Sequence, residues 1–493
     1  MSKFNQTNTI KTTNKSGHIA YAMPDKAKLV TQVLTSMYGE AKFYGDTTNE
    51  MIKTANAVLE KEPKFVANLA RYARKEMHLR SVSHALTALV AYNVKSKPFI
   101  KEVVADVVER ADDITEILAC YLSMFGKPIP NGLKKALATA LGRFNAYQIA
   151  KYNGGNKEIK FKDVLKLTHA KPITAEQREV FKAIINDTLP IAERWETELS
   201  AHGNNRETWE KLIAENKIGY MAMLRNLRNI VNANPSNIDK VFAKLADKNE
   251  VLKSKQLPFR FFSAYRELAN VANAGSRVFD TLETAIEHSI ENMPKLYGKT
   301  VIAIDTSGSM THPISSKSSV ACADIAKLIA VMGAKICDDV IVYNFDTKID
   351  KLHYTNRGGI ISTTMAIKTK GGGTNISLPL QKMLSENIHA DRLIILSDNE
   401  INSSWNGANY GSFWGYGYTV KPCQPLADEY RRKLNKDFWV HAIDLQGYGT
   451  QQFVGAKTNI IAGWSEKLLE FINLAEQGID TQVKAIEEYG NEN

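Results

Sequence analysis

The sequence predicts a multidomain protein, with an all-α region of stacked helical repeats followed by an α/β domain on a doubly wound, mostly parallel sheet. Three observations carry this. The chain has 493 residues, several times the size of one domain. Apolar residues recur at helical spacing from about residue 25 to 290, with no strand-like alternation. After about residue 295, short apolar runs alternate with helical patterns, as in strand–helix–strand units.

Residues 1–20 are rich in Asn, Thr and Lys and read as a flexible tail. A helical domain follows over 21–294. Ile100, Val103, Val104, Val107 and Val108 form one apolar stripe, and Leu133, Ala136, Leu137, Ala140, Leu141 and Phe144 form another. Tyr220, Met223, Leu224, Leu227 and Val231 form a third. Breaks fall at 126–132, 151–156, 169–172 and 232–237. So much helix exceeds one bundle core, so the helices are expected to stack in pairs. HEAT-like pairs of ~40–47 residues would give roughly six degenerate repeats. The α/β domain spans 295–480, with strands expected at 300–304, 340–345, 392–397 and 438–443. Helices are expected from Val320 to about Ile336 and at 376–389, 425–435 and 465–475. Residues 481–493 read as a second tail.

Hydrophobic residues make up 44% and charged residues 24% of the chain, which excludes disorder on a large scale. The net charge is +10 and is uneven: residues 1–290 carry 43 Lys+Arg against 31 Asp+Glu, and 291–493 carry 20 against 22. A basic half joined to a near-neutral half suggests a polyanion-binding module beside a module with another task. Cys120, Cys322, Cys337 and Cys423 are too scattered for a disulfide framework or a zinc site, and read as thiols in a reducing compartment. The polar N-terminus has no secretory pattern, and no apolar run is long enough to span a membrane. A cytoplasmic protein without a membrane partner is the expectation.

In doubly wound sheets the ligand site lies beyond the carboxyl ends of the strands. Asp305 stands there and opens Asp305-Thr306-Ser307-Gly308-Ser309, whose Asp and two Ser can aim three oxygens at one point. Thr374, after three glycines, adds a hydroxyl, and Asp398, after the strand at 392–397, adds a second carboxylate. Such oxygens suit a hard divalent cation, Mg²⁺. Catalytic readings fare worse. There is no G-x-S-x-G elbow, the glycine loop lacks a phosphate-binding Lys, and nothing assembles a nucleophile, a base and its orienter. No enzyme is expected.

In the basic half, Lys64, Arg71, Arg74, Lys75 and His78 recur at helical spacing as a cationic stripe, with Arg80 beyond. Arg225 and Arg228 share one helix face at 219–231, and Arg260 and Arg266 follow. A second cluster comprises Lys151, Lys157, Lys160, Lys162, Lys166, His169 and Lys171. A solvated helix face explains any one stripe. Two clusters in the half that carries the whole positive excess point to phosphate neutralisation. With no small RNA-reading module in the sequence, recognition would rest on charge, shape and unstacked bases.

The five residues Asp305, Ser307, Ser309, Thr374 and Asp398 resemble, in order, the metal-ion-dependent adhesion site of a von Willebrand factor type A (vWA) domain. The segments 73–86, 165–172, 221–230, 257–265, 301–310, 371–379 and 396–400 are similar to motifs of the Ro autoantigen family, whose helical half is the TROVE domain. The resemblance covers about 25–475 and is to a bacterial or phage-like Ro orthologue. It implies a ring of helical repeats closed by the vWA domain, acting in RNA quality control as a ribonucleoprotein. Implied partners are small noncoding Y-like RNAs on an outer basic surface and single-stranded 3′ ends of misfolded RNAs in a central hole. An exoribonuclease reached through the RNA is also implied, and the chain is expected to be a monomer. By the resemblance Lys151 and His169 match positions that contact Y RNA, with Lys166 and Lys171 beside them. The chain departs from the family pattern at Gly155, where Lys157 is the nearest basic substitute. Arg71, Arg74, Lys75, Arg80, Arg225 and Arg228 are candidates for the hole lining.

The segment 401–424 holds Trp405, Tyr410, Phe413, Trp414, Tyr416 and Tyr418 among Gly, Asn and Ser. It reads as a mobile loop or as an aromatic platform for bases or a partner. The other class of function left open is a protein–protein adhesion or scaffold module whose metal site binds an acidic partner.

Overall fold

The computed structural model describes residues 11–13, 19–22, 25–35, 48–153, 157–189, 194–291, 293–313, 320–353, 358–398, 423–445, 450–451, 453, 457–462 and 468–490. The chain forms two compact units. A mixed unit holds Met1–Thr47 and Asn204–Gln482, and a helical unit holds Thr48–Gly203 and Val483–Asn493. The boundary at 203/204 falls inside the span 21–294 that the sequence reads as one domain.

Helix α1 (Asp25–Thr35) belongs to the mixed unit. The helical unit runs through α2 (Thr48–Lys61), α3 (Pro63–Lys75), α4 (Ser81–Tyr92), α5 (Ile100–Val107) and α6 (Ala111–Phe125). It continues with α7 (Asn131–Leu141), α8 (Ala146–Ala150), α9 (Phe161–Thr168), α10 (Ala175–Ile185) and α11 (Trp195–His202). Pro63 starts α3, where its missing N–H costs nothing. Asn145 caps α8 by accepting the Gln148 N–H at 2.9 Å while Gln148 Oε1 accepts the Asn145 N–H at 3.0 Å. The predicted stripes are buried, including Ile100, Val103, Val104 and Val107 on α5 and Leu133, Leu137 and Leu141 on α7. Helices pack on their next neighbour and on the next but one (α3 on α4 and α5, α4 on α6, α5 on α7, α7 on α9), as stacked helical pairs do.

The mixed unit resumes with α12 (Arg206–Ala214), α13 (Tyr220–Arg225), α14 (Leu227–Ala233), α15 (Ile238–Ala246), α16 (Lys248–Ser254), α17 (Pro258–Leu268) and α18 (Ser276–Ile290). The single helix expected over 219–231 is interrupted at Asn226. The α/β part follows as β3 (Leu296–Asp305), α19 (Cys322–Ile336), β4 (Cys337–Phe345), β5 (Ile349–Leu352), α20 (Ile360–Ala366), α21 (Leu378–Ser385) and β6 (Arg392–Ser397). It ends with α22 (Cys423–Lys433), β7 (Trp439–Asp444), β9 (Thr458–Ala462) and α23 (Leu468–Glu488). The sheet order is β5-β4-β3-β6-β7-β9, parallel except for the edge strand β5. Val301, Ala303, Tyr343, Phe345, Leu393 and Ile395 fill one face against Leu380 and Met383 of α21 and Ala427 and Tyr430 of α22.

Helices α17 and α18 belong with this sheet because charges tie them to it. Glu283 of α18 accepts the Ile361 N–H at 2.7 Å and the Ser362 N–H at 2.9 Å, placing a carboxylate at the start of α20. Glu287 pairs with Lys335 at 2.9 Å, and Arg266 of α17 with Asp324 at 3.5 Å.

Both expected tails contain ordered structure. β1 (Lys11–Thr13) and β2 (Ile19–Ala22) form a three-stranded antiparallel sheet with β8 (Thr450–Gln451), a pairing too distant in sequence for local patterns to reveal. Helix α23 continues to Glu488 and buries Val483 and Ile486, which extend its apolar period past residue 480. The four cysteines are free, and Cys322, Cys337 and Cys423 are buried. Among the described residues no helix is long and apolar enough to cross a membrane. Nearly all of the aromatic segment, residues 401–422, lies outside the described residues.

Candidate functional site

Four adjacent parallel strands finish on a buried Asp. Asp305 closes β3 and Asp444 closes β7, while Asp346 and Asp398 directly follow β4 and β6; their exposures are 0, 0, 7 and 2%. The motif spacing points to Asp305 and Asp398 but not to Asp346 and Asp444. The same signal, an Asp at the end of an apolar strand, marks Asp346 after 340–345 and Asp444 after 438–443.

Three loops meet around Asp305. The Ser307 N–H donates to Asp305 Oδ1 at 2.9 Å, and Ser397 Oγ donates to Oδ2 at 2.6 Å, a contact the sequence did not indicate. Ser307 Oγ lies 3.3 Å from Ser309 Oγ, so the two hydroxyls converge as the i, i+2, i+4 spacing predicts. The glycine loop is bound to the first loop. The N–H groups of Lys370 and Gly371 reach the Thr306 carbonyl at 3.1 and 2.9 Å, and the Gly308 N–H reaches the Gly372 carbonyl at 2.8 Å. A Cβ on Gly372 would stand 2.5 Å from Asp346 Oδ2, so a larger residue there would displace Asp346 or the loop. Thr374, at the loop's end, is 1% exposed.

Burial, with the charge of Asp398 added, pushes the Asp305 carboxyl up to about 7 against hydrogen bonds from Ser307 and Ser397 that lower it. Such a group gains from a cation more than from water. Among the described residues, no three or more His, Cys, Asp or Glu side chains form a metal cluster. A cation here would therefore depend on the Ser307, Ser309 and Thr374 hydroxyls as much as on Asp305 and Asp398. Two carboxylates with three hydroxyls form a hard oxygen set that fits Mg²⁺.

The cationic stripe on α3 does not face solvent as a free phosphate-binding surface. Arg71 Nε donates to Asp106 at 2.6 Å, with Glu102 at 3.5 Å. Arg74, with 8% of its side chain exposed, pairs with Glu109 and Asp113 at 3.1 Å and donates to the Val107 carbonyl at 3.0 Å. Lys75 pairs with Glu109 at 3.2 Å, and Arg80 with Asp112 at 2.7 Å and Asp113 at 2.5 Å. Asp113 also meets His84 Nε2 at 3.1 Å and accepts two backbone N–H groups. Burial would raise its carboxyl, but His84 and Arg80 outweigh that and hold it far below the usual range. Arg71, Arg74, Lys75 and Arg80, the candidates for the hole lining, thus each have a carboxylate partner within the unit.

The second cluster differs. Lys162 pairs with Asp187 at 2.5 Å and Lys157 with Glu116 at 3.9 Å, but Lys166, His169 and Lys171 are exposed and Lys151 half-buried, and among the described residues none of these four has a carboxylate at ion-pair distance. Helices α8 and α9, which carry or adjoin them, both pack on α6. His169 ends α9 in the left-handed conformation, φ 55°. Tyr152, which no sequence motif marks, has Arg110 4.7 Å, Lys151 5.4 Å and Lys157 6.0 Å from its ring centroid. Arg225 and Arg228 are exposed on the mixed unit, and Arg228 makes a solvent-facing pair with Glu267 at 3.0 Å.

Comparison with known families now decides the class. The TROVE domain matches residues 22–188 and 186–299, and the Ro60 vWA domain matches residues 299–409. The chain belongs to the Ro family of TROVE-domain proteins. This TROVE protein is similar to telomerase protein component 1 of Rattus norvegicus, 23% identical over 331 residues, which cover 49% of this chain and 13% of that protein. It is also similar to the RNA-binding protein RO60 of Caenorhabditis elegans, 26% identical over 216 residues, covering 41% of this chain and 33% of that protein. The matches thus span a third or less of these relatives. The crystal structure of the Deinococcus radiodurans RO (RSR) protein shares the fold, with a TM-score of 0.66 at 16% identity, covering 92% of this chain and 100% of that one.

Proposed function

We propose that this TROVE protein binds small structured, Y-like RNAs through Lys151, Lys166, His169 and Lys171. In the same reading it takes single-stranded 3′ ends of misfolded RNAs, with Arg225 and Arg228 as candidate contacts, and serves RNA quality control without catalysis. The observation that carries the reading is the contrast between the two basic clusters. In one, Arg71, Arg74, Lys75 and Arg80 are all paired with carboxylates; in the other, Lys166, His169 and Lys171 are exposed with no carboxylate at ion-pair distance among the described residues, in a family with an RNA-binding relative. Exposed cations release counterions from a phosphate backbone, whereas cations already paired would first have to break their ion pairs. An exoribonuclease would be engaged through the bound RNA.

At the sheet edge, Asp305, Ser307, Ser309, Thr374 and Asp398 would hold Mg²⁺. When bound, the ion neutralises the two carboxylates and ties three loops together. These residues position oxygens and move no proton in a reaction. The test is a gel shift with one structured RNA, with and without a single-stranded 3′ tail. Wild type is expected to bind both, and Lys166→Ala/Lys171→Ala to lose affinity for both. Arg225→Ala/Arg228→Ala is expected to lose affinity for the tailed RNA alone. Absence of binding to either RNA at low salt would overturn the reading.

A further inference from the structure

A cavity of about 500 Å³ lies in the α/β part between α19, the β4–β5 hairpin, α20 and residues 367–370. Its size is that of a small-molecule site. The walls are aliphatic, formed by Val331 of α19, Val342 and Leu352 of the strands, and Ile367. Among its polar lining residues, Asn344 is the buried one, at 6% exposure. Its Oδ1 is buried without a hydrogen-bond partner. An unpaired buried amide group is costly, and a ligand offering the matching groups would recover that cost.

Lys368, Lys370 and His353 also line the cavity, against one acid, Asp350. Lys370 lies 2.5 Å from Asp350 in an ion pair. Lys368 and His353 are exposed and have no carboxylate at ion-pair distance among the described residues. The balance of charge favours an anion. The ligand chemistry is therefore an apolar body that fills the aliphatic slot, a donor–acceptor edge for an amide, and an anionic group for the lysines.

We propose that this cavity binds an unstacked adenine nucleotide, with the base between Val331 and Leu352, its edge on the Asn344 amide, and its phosphate by Lys368. An Asn amide pairs with the adenine amino group and ring nitrogen in two hydrogen bonds. The base could come from a free mononucleotide or from an unpaired nucleotide of RNA. The proposal goes beyond the RNA reading and does not rest on it, because free nucleotide tests the site whether or not the basic cluster binds RNA.

The experiment is calorimetry or ligand-observed NMR on the full chain with AMP, compared with adenosine, ribose 5-phosphate and inorganic phosphate. AMP is expected to bind saturably. Losing one good hydrogen bond or the charge contact should weaken binding roughly tenfold, so adenosine, and AMP with Lys368→Ala or Asn344→Ala, should each show that loss. Ribose 5-phosphate and inorganic phosphate should bind more weakly still. Ala366→Trp, at an exposed lining position, should block the mouth and abolish AMP binding while leaving the melting temperature and the structured-RNA gel shift unchanged. Competition by a single-stranded oligoadenylate assigns the site to an RNA nucleotide, and lack of competition assigns it to the free one. No saturable AMP binding to wild type overturns the proposal. So does AMP affinity that is unchanged by both Ala366→Trp and Asn344→Ala.

Discussion

Arg74→Ala separates a structural arginine from an RNA-binding one. The Arg74 side chain is 8% exposed, pairs with Asp113 and Glu109 at 3.1 Å each, and donates to the Val107 carbonyl at 3.0 Å. Removing one member of a buried ion pair costs about 3–5 kcal/mol, because the other charge is left without its partner. Asp113, fully buried, would keep Arg80 at 2.5 Å, His84 at 3.1 Å and the N–H groups of Glu109 and Arg110 at 3.0 and 2.9 Å. With these partners left, the cost falls at the lower end, about 3 kcal/mol. Lys171→Ala, at an exposed position without a carboxylate partner among the described residues, should change stability by less than about 0.5 kcal/mol. The assay is urea unfolding followed by circular dichroism, beside a gel shift with a structured RNA. Arg74→Ala should unfold at lower urea while the folded protein binds RNA as wild type does. Unchanged unfolding with a tenfold loss of RNA affinity would refute the assignment and return the α3 stripe to the RNA surface.

Other outcomes follow from the sheet edge and from the buried network beneath it. Excess Mg²⁺ should raise the melting temperature of wild type, since binding at 100 times Kd stabilises by about 2.7 kcal/mol. Asp305→Ala should lose that rise, and equal rises in both proteins would exclude these ligands. Gly372→Ala should blunt the Mg²⁺ response, because its Cβ would stand 2.5 Å from Asp346 Oδ2 and either the Asp346 side chain or the glycine loop must shift; a wild-type response would show that the close approach is dispensable. Burial would raise the Glu476 carboxyl, but hydrogen bonds from His441 and Arg392 outweigh it and hold it at about 2, below its ordinary 4.5. A folded-state value below the unfolded one stabilises above about pH 4.5, and that stability is lost as the pH falls toward 2. Glu476→Gln should therefore flatten the acid side of the stability curve, and parallel curves for the two proteins would contradict this.

Much of the α/β part is legible in the sequence because its strands are buried on both faces and read as unbroken apolar runs. Each run also ends on a polar loop, and that made Asp305, Ser307, Ser309, Thr374 and Asp398 visible as one set. Asp346 and Asp444 carry the same mark but match no motif. The Ser397 hydroxyl on Asp305 depends on strand neighbours, which one chain segment does not reveal. The acidic partners of the α3 stripe are not legible from the stripe itself, because helical spacing says which residues share a face, not what the face meets. Its complement was present about 35 residues on, where Glu102, Asp106, Glu109 and Asp113 recur at helical spacing on and beside α5 and α6. The β1–β2–β8 sheet joins residues more than 400 positions apart, beyond any local pattern.

The central claim is that phosphate is met by the exposed cluster around α9. The most direct measurement is the salt dependence of structured-RNA affinity for wild type and for a variant with Lys151, Lys166 and Lys171 replaced by Ala. Each lost phosphate contact should reduce the slope of log affinity against log salt by about 0.7–0.9. The account predicts a steep slope for wild type, and for the variant a weaker affinity and a slope shallower by about 2.1–2.7 if all three lysines meet phosphates. A variant that binds as tightly as wild type, with the same slope, would contradict it.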